Sequence, residues 1–322
     1  ADFDFWGGRL TGTVEYFYRL TSDMLFYFYT PDSIGYSGYY DNVGDMRNSG
    51  IEVSLNGVLM QRKNFRWDAY LNFTHYTNKI LRIPDDNKTA KFEGHEGYRS
   101  GTSFYGEGLP IYTFLMPKYA GVDHSTGEPL WYRDITNEAG EVVGTTTTKT
   151  YSEATDYLCG DPTPDLYGGF GTSLSFYGFD VSASFTYSIG GLTYDSGYAG
   201  LVSSPVGTST GGNIHKDVIE QAWTPENPDS NFPRWQFGDQ YTSSTSDRFL
   251  VPASYLNFQN AQIGYTFPER LTQKIKVSRL RLYVSCDNIV YWSYRKGLDP
   301  RYSFSGSTNN AVNSPTLLSD KQ

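Results

Sequence analysis

The sequence predicts an all-β protein, a transmembrane antiparallel up-and-down β-barrel with long extracellular loops that is incomplete in these 322 residues. Three observations lead to this fold class. Apolar and polar residues alternate along several long segments, as in strands with one apolar face. Aromatic residues reach 17%, and the 28 tyrosines suit surfaces that are apolar on one side and wet on the other. Very short turns alternate with very long loops, which is typical of an outer-membrane barrel.

The clearest element is a hairpin within residues 165–191. Only Tyr177-Gly178 separates its two strands, and glycine makes such a tight turn at positive φ. The polar positions between the apolar ones are mainly Ser, Thr, Gly and Asp. We expect the apolar positions to meet lipid and the polar ones, from Asp180 to Ser188, to meet the barrel lumen. The apolar positions are Phe170, Leu174, Phe176, Phe179, Val181, Ala183, Phe185, Tyr187 and Ile189.

Further segments show the same alternation and bring the predicted total to about seven spanning strands of a larger barrel. None of the apolar runs approaches the roughly 18 residues of a membrane-spanning helix, whereas a barrel strand needs only about ten alternating residues. The additional strands cover residues 10–18, 51–59, 65–74, 254–267 and 280–287.

The connections between these strands have a direction. Those at 61–64, 177–178 and 268–276 are short, and those at 22–46, 82–164 and 192–248 are long. Short and long connections alternate, so they lie at opposite ends of the sheet, with the short turns predicted on the periplasmic side. We treat the long connections as loops, apart from a local hairpin that pairs 119–123 with 129–132. The best helix candidate, 214–223, is short and lies inside a loop.

Composition and motifs argue against several classes of function. A net charge of -9 and a pI near 5.0 do not suit a nucleic-acid partner. The four histidines lack metal-ligand spacing, and two cysteines are too few for a disulfide framework. Residues 123–128 lack the pattern of a calcium loop, and no nucleophile or phosphate-binding motif is present. We therefore expect no catalytic residues, no metal and no cofactor.

Several phrases resemble the C-terminal half of the SusC/RagA-like TonB-dependent transporters of Bacteroidetes outer membranes. They occur in the same order as in the family and cover most of the chain, with Gly178 where lysine is more usual. The phrases are NVGDMRNSGIE at 42–52, the strand 67–80 that ends in NKI, YAGVDHSTGEP at 119–129, the hairpin 165–191, WTPENP at 223–228, FPR at 232–234, and the segments 249–268 and 281–300.

The resemblance implies a barrel of about 22 strands with an N-terminal plug domain. It also implies a SusD-like surface lipoprotein and the TonB complex as partners, and the import of oligosaccharides or, in some members, peptides. Seven is an odd number of strands, and an open barrel edge in lipid leaves backbone groups unpaired. We therefore expect residues 1–322 to be the C-terminal part of the barrel, with the plug, the first strands and the closing strand absent from this sequence.

Loop aromatics with polar neighbours are the candidate substrate-binding residues. An aromatic ring stacks on the apolar face of a sugar, while carboxylates and amides bind its hydroxyls. Each candidate has an alternative role in packing a loop, and the phrases around Trp223 and Trp235 favour packing for these two. The candidates are Tyr39, Tyr40, Asp41, Tyr98, Trp131 and Tyr132.

A second set of polar residues falls on the parity that faces away from lipid. A charge at the lipid midplane costs about 2–4 kcal/mol, so these side chains are expected to face the lumen. Contact with the plug or with one another is the favoured interpretation, and a transport path is the alternative. The set is Glu15, Glu52, Arg66, Asp68, Asp180, Arg281 and Asp287.

The predicted function is that of an outer-membrane nutrient importer component. One alternative is an outer-membrane adhesin or structural barrel that carries no substrate. The other is a soluble all-β carbohydrate-binding protein, which would need a second sheet to cover the apolar face.

Overall fold

The computed structural model describes residues 1–29, 35, 38–42, 44–207 and 212–302. The strands are β1 (Asp2–Phe5), β2 (Leu10–Thr21), β3 (Leu25–Tyr29), β4 (Gly38–Asn42), β5 (Asp45–Arg62), β6 (Phe65–Arg82), β7 (Ala90–Phe92), β8 (His95–Ser100), β9 (Ser103–Gly106), β10 (Thr113–Pro117), β11 (Tyr119–Val122), β12 (Pro129–Thr136), β13 (Val142–Thr148), β14 (Asp156–Leu158), β15 (Leu166–Phe176), β16 (Phe179–Ile189), β17 (Leu192–Tyr194), β18 (Leu250–Pro252), β19 (Tyr255–Thr266) and β20 (Arg281–Ser293). The α-helices are α1 (Ser196–Leu201), α2 (Lys216–Gln221) and α3 (Glu269–Thr272). None of the helices in the described chain is long and apolar enough to cross a membrane.

The main sheet has eight strands in the order β1-β2-β5-β6-β15-β16-β19-β20. Every neighbouring pair is antiparallel, and the long strands follow one another in chain order. All seven predicted strands are therefore present, and the short strand β1 is added at one edge. The predicted fold class, an incomplete up-and-down barrel, is confirmed.

The turns at one end of the sheet are as short as predicted. Lys63 and Asn64 alone join β5 to β6, so that turn is shorter than expected. Tyr177 and Gly178 join β15 to β16 with φ of 46° and 89°, the left-handed pair of a tight hairpin turn. The β19–β20 connection contains α3. We call this end of the sheet inward and the opposite end, which carries the long loops, outward.

One face of the sheet, the outer face, is apolar across its central strands. Direct register places Leu71, Phe170, Phe185 and Phe258 in one row across β6, β15, β16 and β19. The ring centroids of Phe170 and Phe185 lie 4.9 Å apart, and those of Phe185 and Phe258 lie 4.5 Å apart. Such stacked aromatic rows suit a surface in contact with lipid.

A β-bulge preserves this face in β19. Simple alternation from Ala261 to Tyr265 predicts that Phe258 lies on the polar face. The register shifts between Phe258 and Asn260, so Phe258 pairs with Phe185 on the outer face and Asn260 pairs with Ser184 on the opposite one. An extra residue in one strand reverses the parity beyond it.

The opposite face, the lumenal face, carries the polar residues. Register places the hydroxyls and amides of five successive strands in one row. The members of this row, which illustrates the face, are Asp68, Ser173, Ser182, Gln262 and Ser285.

The long connections fold over the outward end, and we call residues 83–164 and 190–254 the cap. The expectation that 82–164 is mostly loop is wrong: this segment forms the five-stranded sheet β14-β10-β9-β8-β7 and the sheet β11-β12-β13. The predicted hairpin is present as β11 and β12. Every residue of β10, TFLMP, is buried, so this strand has no alternation by which the sequence reveals it.

Both parts of the cap share one hydrophobic core. Phe114 and Met116 of β10 pack with Val202, Val218 and Phe249 from the later segment. The predicted helix is present as α2 and contributes Val218 to this core. The largest buried side chains therefore lie in the cap, not in the spanning sheet.

Candidate functional site

The lumenal face holds an open cavity of about 400 Å³ near the middle of the sheet. It is lined by polar side chains that include Asn56, Asp68 and Ser182. All seven predicted lumenal charges lie on strands β2, β5, β6, β16 and β20 of this sheet. A polar surface of this kind is suited to packing against other residues or to guiding a polar solute.

Several of the lumenal charges pair with one another. The Arg66 Nε donates to the Asp68 Oδ2 at 2.8 Å, and the Arg281 Nη2 donates to the Asp180 Oδ2 at 2.5 Å. The second pair reaches across β19 at Gly264, where a Cβ atom would lie 2.7 Å from both side chains. The favoured interpretation was that these charges contact the plug or one another, and the contacts with one another are present.

Two predicted binding residues are buried in the cap. Tyr98 is 3% exposed, and its ring lies parallel to that of Tyr105 with a centroid distance of 4.9 Å. Trp131 is 1% exposed and packs edge-on against the rings of Tyr151 and Tyr241. Burial raises the pKa of Tyr98 far above its ordinary value. Both side chains pack inside the cap in this structure, and ligand binding by either one stays a prediction.

The remaining predicted residues divide into two groups. Tyr40 is 72% exposed on β4, and Tyr132 is 41% exposed on β12. The side chains of Tyr39 and Asp41 lie outside the described residues. Binding by any of these residues stays a prediction.

The turn between β11 and β12 interlocks with the later segment of the cap. The Trp223 Nε1 donates to the His124 carbonyl at 3.1 Å, and the His124 Nδ1 lies 2.6 Å from the Pro228 carbonyl. The Arg234 amide donates to the Gly127 carbonyl at 2.8 Å. Gly127 has φ +76°, and an added Cβ atom would lie 2.4 Å from the Trp223 ring. The packing role predicted for Trp223 is confirmed.

Ion pairs stabilise the same turn. The Lys149 ammonium lies 2.6 Å from the Asp123 carboxylate and 2.7 Å from the Glu128 carboxylate. Lys149, together with hydrogen bonds from Ser125, holds the pKa of Asp123 far below its usual value, and Lys149 likewise lowers the pKa of Glu128. Both acids are therefore charged at neutral pH and matched by cations, which does not favour a calcium site.

An ion pair and a hydrogen bond attach the segment after β20 to the rest of the molecule. Arg295 Nη2 binds Asp195 Oδ2, and Asp195 is 1% exposed. Asp195 also accepts a hydrogen bond from the Tyr198 amide at the start of α1. Arg301 makes two bonds of 2.7 Å to Asp299 and donates to the Asn257 Oδ1 at 3.1 Å. The chain after β20 is thereby fixed against both the cap and β19.

A smaller pocket of about 270 Å³ lies at the outward end of the lumenal face. Its walls include Tyr76 of β6, Tyr167 of β15 and Tyr255 of β19. These residues were missed from the sequence because binding aromatics were sought in the loops alone. Parity was an available signal for Tyr76 and Tyr167, which share the polar parity of β6 and β15. Tyr255 reaches the polar face opposite Ser188 only because the bulge in β19 reverses the parity, so the sequence contains no signal for it.

Metal-ligating and nucleophilic groups are not clustered here. Within the described ranges no group of three or more His, Cys, Asp or Glu side chains is placed to hold a metal ion. Burial raises the pKa of the Cys159 thiol to about 11, so this thiol is protonated at neutral pH. Cys286 pairs with Ala261 on the outer face.

The chain is similar in sequence to known receptors. It matches the family model described as TonB dependent receptor-like, beta-barrel, over residues 1–126. TonB-dependent receptor P3 of Formosa agariphila is 28% identical over 311 residues, which are 95% of this chain and 30% of that protein. TonB-dependent receptor SusC of Bacteroides thetaiotaomicron is 24% identical, and the match covers 98% of this chain and 30% of SusC.

The fold is similar to that of solved structures as well. The RagAB peptide importer in its closed-closed state superposes with a TM-score of 0.77 and 26% identity, over 96% of this chain and 32% of the solved chain. Its open-open state gives a TM-score of 0.73. The chain therefore spans about a third of the length of the relatives it matches. These findings confirm the outer-membrane location, and they confirm that the chain is related to the SusC/RagA-like TonB-dependent receptors.

Proposed function

We propose that this chain is the C-terminal barrel portion of an outer-membrane importer that takes up oligosaccharides or peptides in a TonB-dependent manner. One observation carries the proposal: a spanning sheet with an apolar outer face and a polar lumenal face, closed over at its outward end by a cap with its own core. This arrangement suits a solute path that opens to the outside and is separated from lipid.

The sheet requires further strands. Within the described residues, β1 and β20 form its two edges, and neither edge has a neighbouring strand. Open edges in lipid leave backbone donors and acceptors unpaired at several kcal/mol each. We infer that other barrel strands and a plug complete the structure, and that the TonB complex acts through those parts. A SusD-like lipoprotein is the proposed surface partner, by analogy with the family.

Two alternatives are less well supported. The soluble all-β interpretation required a second sheet against the apolar face. In the part of the chain that the structure describes, the other sheets belong to the cap or, as β3-β4, to the connection between β2 and β5. An adhesin or structural barrel would share the outer and lumenal faces but would carry no solute. The named relatives are receptors and importers, which favours transport over adhesion or catalysis.

Uptake measurements test the proposal. The gene that encodes this chain is deleted in its host, and the uptake of labelled oligosaccharides and of a labelled peptide digest is compared with the parent strain and with a strain that lacks TonB. We expect at least one solute class to lose uptake in both mutants. Uptake of every solute at the parent level in the deletion strain, with loss of surface attachment instead, would support the adhesin and overturn the importer.

A further inference from the structure

The pocket at the outward end of the lumenal face has the chemistry of a neutral sugar site. We propose that Tyr76, Tyr167, Tyr255 and Ser188 bind a neutral pyranose unit of an oligosaccharide. The inference rests on the proposed import function and identifies both a site and a substrate class for it.

The rings of the pocket form flat apolar walls. Tyr76 and Tyr167 meet nearly at right angles, with an interplanar angle of 88° and ring centroids 6.1 Å apart. Pro162, Pro164 and Pro300 also line the pocket. A pyranose has apolar C–H faces that stack on such rings, and proline walls lose little conformational freedom on binding.

The hydroxyls of the pocket are available to a ligand. Across the described residues, the hydroxyls of Tyr76, Tyr167, Tyr255 and Ser188 make no hydrogen bond to another protein group. Each hydroxyl both donates and accepts, which matches the dual character of sugar hydroxyls. Apolar walls combined with uncommitted hydroxyls are what a carbohydrate requires.

The charge balance of the pocket favours a neutral ligand. Among the described residues that line the pocket, Arg301 is the one that is charged, and its guanidinium is paired with the Asp299 carboxylate by two bonds of 2.7 Å. An acidic sugar or a peptide terminus would need a charge that is not already matched. The volume of about 270 Å³ is just below the range of about 300–1,000 Å³ typical of small-molecule pockets, so it suits a short part of a longer chain.

The test uses the full-length receptor that contains this chain, purified in detergent. A glycan array with neutral and anionic oligosaccharides identifies the strongest ligand, and calorimetry then measures its Kd. The double variant Tyr76→Phe/Tyr255→Phe keeps both rings and removes two hydroxyls. Tyr283→Phe is the matched control, because Tyr283 lies on the same face but outside the pocket, opposite Gly264.

We expect a neutral glycan to bind the parent receptor and the Tyr283→Phe control equally, and the Kd of the double variant to rise about tenfold. An unchanged Kd in the double variant overturns the site. Binding of anionic glycans only, or of no glycan while peptides from a casein digest bind, overturns the substrate class. These failures differ from failure of the proposed function, because uptake in cells would still depend on the receptor and on TonB.

Discussion

The spanning sheet and the cap are stabilised in different ways. In the sheet, long antiparallel strands satisfy one another's backbone groups, and many of the large apolar side chains on the outer face are exposed. In the cap, short strands and helices surround a buried core with ion pairs such as Lys149–Asp123, and the Asp195–Arg295 pair joins the cap to the segment after β20. The sheet depends on lipid and on further strands, whereas the cap resembles a small globular domain inserted between strands. Substitutions should therefore act by different rules in the two regions.

The largest effect is expected from breaking the ion pair between Asp195 of the cap and Arg295 after β20. Asp195→Ala leaves the Arg295 guanidinium without a carboxylate partner and removes the side chain that caps the N-terminus of α1. Together these losses should lower local stability by about 3–5 kcal/mol. Hydrogen–deuterium exchange of the purified receptor should show lost protection across 192–254. Glu220→Ala, which breaks the exposed pair with Lys216, should cost less than about 1 kcal/mol. Equal losses of stability in the two variants would contradict the greater contribution assigned to the Asp195–Arg295 pair.

The next effect tests which face of the sheet meets lipid. Ala183→Arg places a charge on the outer face near the middle of β16, at a cost of about 2–4 kcal/mol, and should lower the yield of folded protein in the outer membrane. The adjacent Ser182→Arg lies on the lumenal face and should be tolerated. The fraction of folded protein in each variant is measured on membrane fractions by the shift in electrophoretic mobility that heating causes. If Ser182→Arg is the more damaging substitution, the assigned faces are reversed.

A smaller effect is expected at the interlocked turn. Gly127→Ala should cost about 2 kcal/mol, because alanine is strained at φ +76° and its Cβ atom meets the Trp223 ring. Gly140→Ala has a similar φ of +79° with open space around it, so it should show the backbone strain alone. Urea denaturation followed by tryptophan fluorescence compares the two variants. Equal urea midpoints for the two variants would show that contact with the Trp223 ring adds no cost.

The smallest effect is a dependence of cap stability on acid. Lys149 lowers the pKa values of Asp123 and Glu128 below their ordinary 3.8 and 4.5. Groups with a lowered folded pKa contribute stability above the unfolded pKa and lose it as the pH falls through the folded value. The urea midpoint should therefore stay constant from pH 7 to about pH 5 and decline below about pH 4.5. Lys149→Met should weaken this decline, and a decline already complete at pH 6 would contradict it.

The sequence predicts the sheet well because each strand must satisfy a local rule. Residues that face lipid and lumen alternate along the chain, so parity alone locates all seven long strands and most of their faces. It fails at β19, where a bulge between Phe258 and Asn260 reverses the parity. A bulge depends on the neighbouring strands, whose register is not local information.

The candidate site is harder to predict from the sequence than the sheet is. Tyr98 and Trp131 have aromatic rings of the kind that stack on sugars, but both side chains are buried in the cap. Tyr76, Tyr167 and Tyr255 lie on strands, where no binding residue was predicted, and the register across β6, β15, β16 and β19 brings them into one pocket. A residue type indicates what a side chain is able to bind, whereas its neighbours decide whether a ligand reaches it.

The sequence by itself therefore determines the spanning strands, their direction and the two faces of the sheet, because alternation and turn length are properties of adjacent residues. The tertiary structure alone decides that two distant loops form one cap with a shared core, and that tyrosines from three strands form one pocket. These features arise from contacts between residues that lie far apart in the chain, for example Asp195 with Arg295 at a separation of 100 positions. Such contacts leave no local pattern in the sequence.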